Sequence, residues 1–319
     1  MTWLVTGGAG YIGAHVLAAF RDADRPAVAL DDLSTGDATR VGDTPLVVGS
    51  VLDGDLVRRT IAEHRVTGVV HIAAKKQVGE SVADPLKYWT ENVTGLVTLL
   101  EACRDLEVGS FVFSSSAATY GLPDVDLVTE ETPGAPMSPY GASKLVGEWV
   151  MRDCATAFGL RSHALRYFNV AGCATPELGD VGVFNLVPMV FERLQADERP
   201  RVFGGDYPTP DGTCVRDYVH VADIAAAHLA SAAALEGGAD SDVYNIGRGE
   251  GSSVLDVIRV VGEVTGLDVT PDVVDRRPGD PARVVASVEK IRAGLGFSAR
   301  HDLHDMVASA WAGWQLRHP

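Results

Sequence analysis

The chain has 319 residues, 46% of them hydrophobic, room for one large or two moderate domains. Its net charge of −16 and pI near 4.9 argue against nucleic acid or an anionic membrane surface as partner, while a few local arginines still suffice for a small anion. No apolar run approaches membrane-spanning length, and the first expected strand begins almost at Met1, so no signal peptide and a cytoplasmic location are expected.

Trp3–Thr6 is a short apolar run bounded by glycines and reads as a buried strand. Gly7, Gly10 and Gly13 follow, then Tyr11–Phe20 with the apolar spacing of an amphipathic helix. A second run, Ala27–Leu30, ends in Asp31 and Asp32. Glycines in such a turn let the backbone approach a pyrophosphate, and the helix N-terminus offers free N–H groups to the anion. An acid after the second strand accepts from a ribose 2′-hydroxyl and repels a 2′-phosphate, which favours NAD over NADP. Strand and helix signals then alternate: Leu46–Val48, Asp55–Glu63, Val69–Ile72, a long helix Pro85–Arg104, Phe111–Ser114, a helix Tyr140–Phe158 and His163–Arg166. This is the pace of a doubly wound parallel Rossmann sheet, expected over residues 1–169. Ligands bind beyond the carboxyl ends of such strands, where Gly7, Asp31, Ala73, Ser114–Ser116 and Asn169 fall.

After Asn169 glycines and prolines are frequent and the elements shorter. Residues 170–319 are therefore expected to form a smaller α+β substrate-binding domain, with returns to the first domain through Ala222–Leu235 and Tyr244–Ile246. Met306–Leu316 reads as a closing amphipathic helix with Trp311 and Trp314 in the core. Cys103, Cys154, Cys173 and Cys214 are scattered without a C-x-x-C, so reduced thiols are expected and a metal site is not.

The chemistry concentrates in two stretches. In Tyr140-Gly-Ala-Ser-Lys144 the four-residue spacing puts phenol and ammonium on one helix face. A free tyrosine, with a pKa of about 10, is a poor base at neutral pH, and a nearby cation favours its phenolate. In Ser114-Ser-Ser-Ala-Ala-Thr-Tyr-Gly121, hydroxyls at a strand's carboxyl end could bond a substrate oxygen as its proton leaves. A nucleophilic serine fits less well, since no G-x-S-x-G elbow surrounds Ser116.

T-G-G-A-G-Y-I-G at Thr6–Gly13, Y-x-x-x-K at Tyr140–Lys144 and R-Y-F-N at Arg166–Asn169 resemble the extended short-chain dehydrogenase/reductase family. K-Q-V-G-E-S at Lys76–Ser81, G-G-D-Y-P-T-P-D-G-T-C-V-R-D-Y-V-H-V at Gly204–Val221 and R-R-P-G-D at Arg276–Asp280 narrow the resemblance to its nucleotide-sugar 4-epimerases, over essentially the whole chain. That resemblance implies tightly held NAD, a UDP-sugar and a transient 4-keto sugar. Tyr140 would take the proton from the 4-hydroxyl with Ser116 sharing in the transfer, and Lys144 would bind the nicotinamide ribose. It places Tyr11, Ile12, Asp31, Lys76, Asn92 and Tyr167 with Gly7, Gly10, Gly13 and Ala73 at the cofactor. It places Asn169, Asn185, Phe203, Arg216, Arg277 and Asp280 at the UDP moiety, two arginines suiting a diphosphate.

Three departures carry weight. Ser50 stands where relatives have an acid near the adenine, so recognition there leans on Val51 and backbone groups. Ala117 and Ala118 replace the acid of dehydratases and decarboxylases. Val284 replaces a bulky tyrosine of glucose/galactose-restricted relatives, which implies some turnover of UDP-N-acetylglucosamine. A dehydrogenase or reductase of nucleotide sugars that releases NADH, and a non-catalytic NAD-sensing protein, remain alternatives. Relatives pair through two long helices, implying a homodimer through Pro85–Arg104 and Tyr140–Phe158.

Overall fold

The computed structural model describes residues 1–277 and 279–318; Pro278, within the Arg276–Asp280 motif, lies outside them. A seven-stranded sheet runs through the larger part of the chain. Its strands are β1 (Thr2–Thr6), β2 (Ala27–Asp31), β3 (Leu46–Val48), β4 (Val66–His71), β5 (Ser110–Ser116), β6 (Arg161–Tyr167) and, much later, β10 (Asp242–Ile246). Their spatial order is β10-β6-β5-β4-β1-β2-β3, and every pair is parallel. The order reverses between β1 and β4, which opens the crevice where such sheets bind ligands.

The sheet is buried on both faces, as apolar runs without alternation require. Trp3 and Val5 point into one core with Val16, Leu17, Phe20 and Ile224. Leu4, between them, points into the other with Val57, Ile61, Leu99 and Phe111. The first face is covered by α1 (Tyr11–Asp22) and α8 (Val221–Glu236), which pack on each other. The second is covered by α2 (Gly54–Glu63), a helical run from Pro85 to Asp105, and α6 (Pro139–Phe158). Ser138 caps α6 by accepting from Gly141 N–H, Pro139 occupies its first turn, and Gly159 ends it at φ 74°.

The run expected as one helix over Pro85–Arg104 is α4 (Pro85–Tyr88), a π segment (Trp89–Thr94) and α5 (Gly95–Asp105). The widened turn carries Asn92 into the interior, where its amide bonds Lys75 N–H and C=O at 2.8 and 3.0 Å. A short helix α3 (Val78–Ala83) precedes it, which no apolar period announced. Tyr88 holds its start, exchanging hydrogen bonds with Gln77 N–H and C=O.

The remaining chain builds a smaller assembly. β9 (Val215–His220) pairs with β7 (Asn169–Ala171) and β13 (Arg283–Val284) in parallel and with β11 (Gly251–Ser253) antiparallel. β8 (Arg201–Phe203) and β12 (Asp272–Val274) form a separate parallel pair. α7 (Leu186–Gln195), α9 (Val254–Thr265) and α11 (Leu303–Arg317) enclose a core of Val187, Phe191, Val257, Val261, Met306 and Trp314, with Trp311 packed against it. α10 (Glu289–Leu295) returns to β10. The four cysteines are free thiols, three of them buried and Cys154 half-buried.

Candidate active site

The turn after β1 is tight because glycine permits it. Gly7 has φ +71°, and a Cβ there would stand 2.7 Å from Ala73 N; a Cβ on Gly13 would meet Gly7 O at 2.0 Å. The close approach brings α1 end-on to the crevice, with Gly10 at its N-cap and no side chain bonding its first-turn N–H groups. Asp31, at the end of β2, is buried and accepts from Ala9 N–H and Leu33 N–H, both at 2.9 Å. These groups border a cleft of about 470 Å³.

The cleft is lined by Gly7, Gly10, Tyr11, Ile12, Gly13, Asp31, Ser50, Val51, Ala73, Lys76, Tyr140, Lys144 and Tyr167. A glycine turn with no room for a Cβ, an uncapped helix end and a ribose-height carboxylate are what a dinucleotide needs, so the residues fit NAD. Asn92, expected at the cofactor, does not line the cleft. Its amide is taken up by Lys75 and by Ser143 Oγ at 3.0 Å, so it shapes the Ala73–Gln77 wall from behind. Asp32 also lines the cleft, and lining groups that the sequence reading missed include Ser34, Lys75, Glu80, Asp180, Val181, Gly182 and Phe184. Lys75 Nζ reaches Ser34 Oγ at 3.0 Å, joining the loops after β4 and β2.

Tyr140 and Lys144 rise from the first turns of α6. Lys144 is 4% exposed, donates to Ser114 O at 2.7 Å and lies 5.0 Å from the Phe113 ring centroid. Burial pushes its ammonium down to about 7, while Glu148 pulls it up. Tyr140 packs edge-on to Tyr88, with ring centroids 6.5 Å apart. Burial raises its phenol above the ordinary value, and only a hydrogen bond with Ser116 opposes this. Burial thus acts on the two groups in opposite directions, the phenol up and the ammonium down, each toward its neutral form. Ser116 also accepts from Ala118 N–H at 3.2 Å, which aims its hydroxyl across the end of β5.

The residues expected at the UDP moiety are less gathered. Arg216, on β9, faces Asp280 at 3.6 Å. Arg277 stacks on Phe203, its guanidinium carbon 3.7 Å from the ring centroid. Asn169 is exposed on β7. Asn185 is tied to Asp180 at 3.0 Å and borders a small cavity that shares Tyr11 and Asp180 with the larger cleft, without lining the cleft itself. Val284 pairs in register with Arg216 and packs with Tyr120, Val128, Phe168 and Ala286. Among the described residues no three His, Cys, Asp or Glu side chains cluster as metal ligands. None of the described helices is long and apolar enough to cross a membrane.

The profile of the NAD dependent epimerase/dehydratase family matches residues 3–247. A UDP-glucose 4-epimerase of Azospirillum brasilense is 44% identical over 98% of this chain and 91% of its own. The crystal structure of UDP-glucose 4-epimerase from Brucella ovis in complex with NAD superposes with a TM-score of 0.94 at 38% identity, covering 97% of each chain. That of the Stenotrophomonas maltophila enzyme, with NAD and formylated UDP-arabinopyranose bound, gives 0.96 at 38% identity, covering 100% of this chain and 99% of the other. With this agreement along its whole length, the chain belongs to the NAD-dependent epimerase/dehydratase family.

Proposed function

We propose that this protein is a UDP-glucose 4-epimerase that interconverts UDP-galactose and UDP-glucose. The observation that carries the reading is that Tyr140 and Lys144 line a cleft built to hold a dinucleotide, with Ser116 beside the Tyr140 phenol. The relatives that match the full length bear that name.

Gly7, Gly10 and Gly13 with the N-terminus of α1 hold the pyrophosphate, Asp31 the adenosine ribose, and Lys144 the nicotinamide ribose. NAD, when bound, would supply the acceptor for the hydride of the sugar's C4 and, once reduced, the donor that gives it back. Tyr140 takes the proton of the 4-hydroxyl, with Ser116 bonded to the same oxygen, and gives it back after the 4-keto sugar has turned over. A cation beside the phenol then favours the phenolate that burial alone resists. Arg216 and Arg277 face the diphosphate, with Asp280, Asn169 and Asn185 around the nucleotide and Phe203 beside the uracil. Residues 1–169, with the return through 222–246, serve the cofactor, and the remainder serves the UDP-sugar.

Elimination across the sugar's C5–C6 bond is disfavoured, because Ala117 and Ala118 occupy the turn after Ser116, where a dehydratase places its acid. Valine at 284 leaves room for a larger C2 substituent, so UDP-N-acetylglucosamine is a second substrate. A cytoplasmic homodimer is the assembly: Leu86, Trp89 and Val97 on one helical run and Trp149 on α6 are exposed apolar groups on the expected pairing helices.

The test is to mix the purified protein with UDP-galactose, without added NAD. UDP-glucose forms and no NADH accumulates. Net reduction of added NAD in place of balanced interconversion would identify a dehydrogenase instead.

A further inference from the structure

We propose that Ser115, Glu148 and Arg166 form a positioning unit that fixes where Tyr140 and Lys144 stand against the serine-rich end of β5 and sets the charge around them. The inference rests on the 4-epimerase reading for the role of that pair, and on geometry for everything else.

Tyr140, Lys144 and Glu148 are spaced by four and share one stripe of α6. Glu148 is buried, 7% exposed. Its Oε1 accepts from Ser115 Oγ at 2.5 Å and Arg166 Nε at 2.9 Å, and its Oε2 accepts from Arg166 Nη2 at 2.5 Å. Arg166 also donates to Tyr120 OH at 2.8 Å, and Tyr120 donates to Asn245 Oδ1 at 2.6 Å. Asn245 in turn donates to Val128 O, whose residue pairs with the segment after Val284. One connected set of buried groups therefore joins α6, β5, β6 and β10.

Ser115 sits between the two residues of β5 that the reaction uses. The Ser114 carbonyl holds the Lys144 ammonium, and the Ser116 hydroxyl meets Tyr140. Side chains alternate along a strand, so Ser114 Oγ points to His228 on α8 while Ser115 Oγ points to α6. The bond from Ser115 to Glu148 thus registers the strand end against the helix that carries phenol and ammonium.

Glu148 faces Lys144 from the next turn of α6, His71 from β4 and the Phe113 ring from β5; Tyr140 stands one turn before Lys144 and faces Tyr167 of β6. His71 is neutral, pushed down to about 3 by burial and by Lys144. Glu148 is the carboxylate of this group, and Arg166 offsets it. Replacing Glu148 by glutamine keeps the acceptor for Ser115 and removes one negative charge, so every nearby proton leaves more readily.

Two variants test this. Ser115→Ala is expected to lower kcat about tenfold, as loss of one buried hydrogen bond implies, with KM, bound NAD and pH profile unchanged. Ser115→Thr restores the hydroxyl and the rate. Glu148→Gln is expected to move the pH profile of kcat about one unit lower. The same shift is expected in the tyrosinate absorbance that disappears on Tyr140→Phe, a measurement that needs no turnover. If the unaltered protein fails to interconvert the two sugars, the functional reading fails and the absorbance titration still decides the positioning role. If Ser115→Ala turns over at the unaltered rate and Glu148→Gln leaves the titration unmoved, the proposal is overturned. Should Glu148→Gln not fold, the Ser115 pair decides alone.

Discussion

The two parts of this molecule assemble their sites by different means. In the seven-stranded part, Gly7, Asp31, Ala73 and Ser116 lie at or just beyond the ends of four parallel strands, β1, β2, β4 and β5. A parallel sheet puts all its carboxyl ends on one edge, so a residue's position at a strand end is already its position at the cleft. In the smaller part, Asn169, Arg216, Val284 and Phe203 come from β7, β9, β13 and β8, Asn185 from the start of α7, and Arg277 and Asp280 from a loop. Membership there depends on how mixed strands and helices pack. Two side-chain contacts form, Arg216 with Asp280 and Arg277 with Phe203, while Asn185 is drawn to Asp180. Strand-end logic reads one half of a site and is silent on the other.

The contrast can be broken most severely at Tyr140. Tyr140→Phe keeps the fold and bound NAD but is expected to lose about 10²–10⁴-fold in kcat, measured as conversion of UDP-galactose; an undiminished rate would remove the phenol from the mechanism. Acid tests both halves together. Burial pushes His15, His220 and His228 down to about 4 and His71 to about 3, so the folded chain refuses protons that an unfolded histidine, with its pKa near 6.5, accepts. Stability is therefore full above about pH 6.5 and falls as pH drops toward 4, by up to about 1.4 kcal/mol per pH unit per histidine. Thermal unfolding followed by circular dichroism across that window checks the sign.

The next two variants separate the halves. Gly7→Ala forces a side chain into a left-handed turn against Ala73 and is expected to destabilise by about 1–3 kcal/mol and to strip NAD, read from the cofactor absorbance of the purified protein. Arg216→Ala is expected to leave NAD in place and to weaken UDP binding about tenfold, as loss of one charge-assisted contact implies, measured by calorimetric titration with UDP. If Arg216→Ala also released NAD, the two halves would not be separable and the contrast would fail.

The elements of the larger part were legible because their signals are local. Strands β1 to β6 and helices α1, α2 and α6 lie where apolar runs, glycines and caps place them, within a few residues. The return of β10 to the sheet was also readable, as an apolar run after a long helix. The π segment was not, since nothing in the order of Trp89–Thr94 marks a widened turn, and only the folded backbone shows it. Glu148 had a signal that went unused: it continues the four-residue spacing of Tyr140 and Lys144. Its partners Ser115 and Arg166 lie 33 and 18 residues away along the chain and had none.

The amino-acid order by itself determined the glycine turn, the acid after the second strand and the shared face of Tyr140 and Lys144, because each depends on backbone geometry within a few residues. Tertiary structure alone decided the proton balance of that pair and which groups surround Asn185, Arg216 and Arg277. Desolvation depends on what surrounds a group in three dimensions, and here it pushes the Tyr140 phenol up and the Lys144 ammonium down.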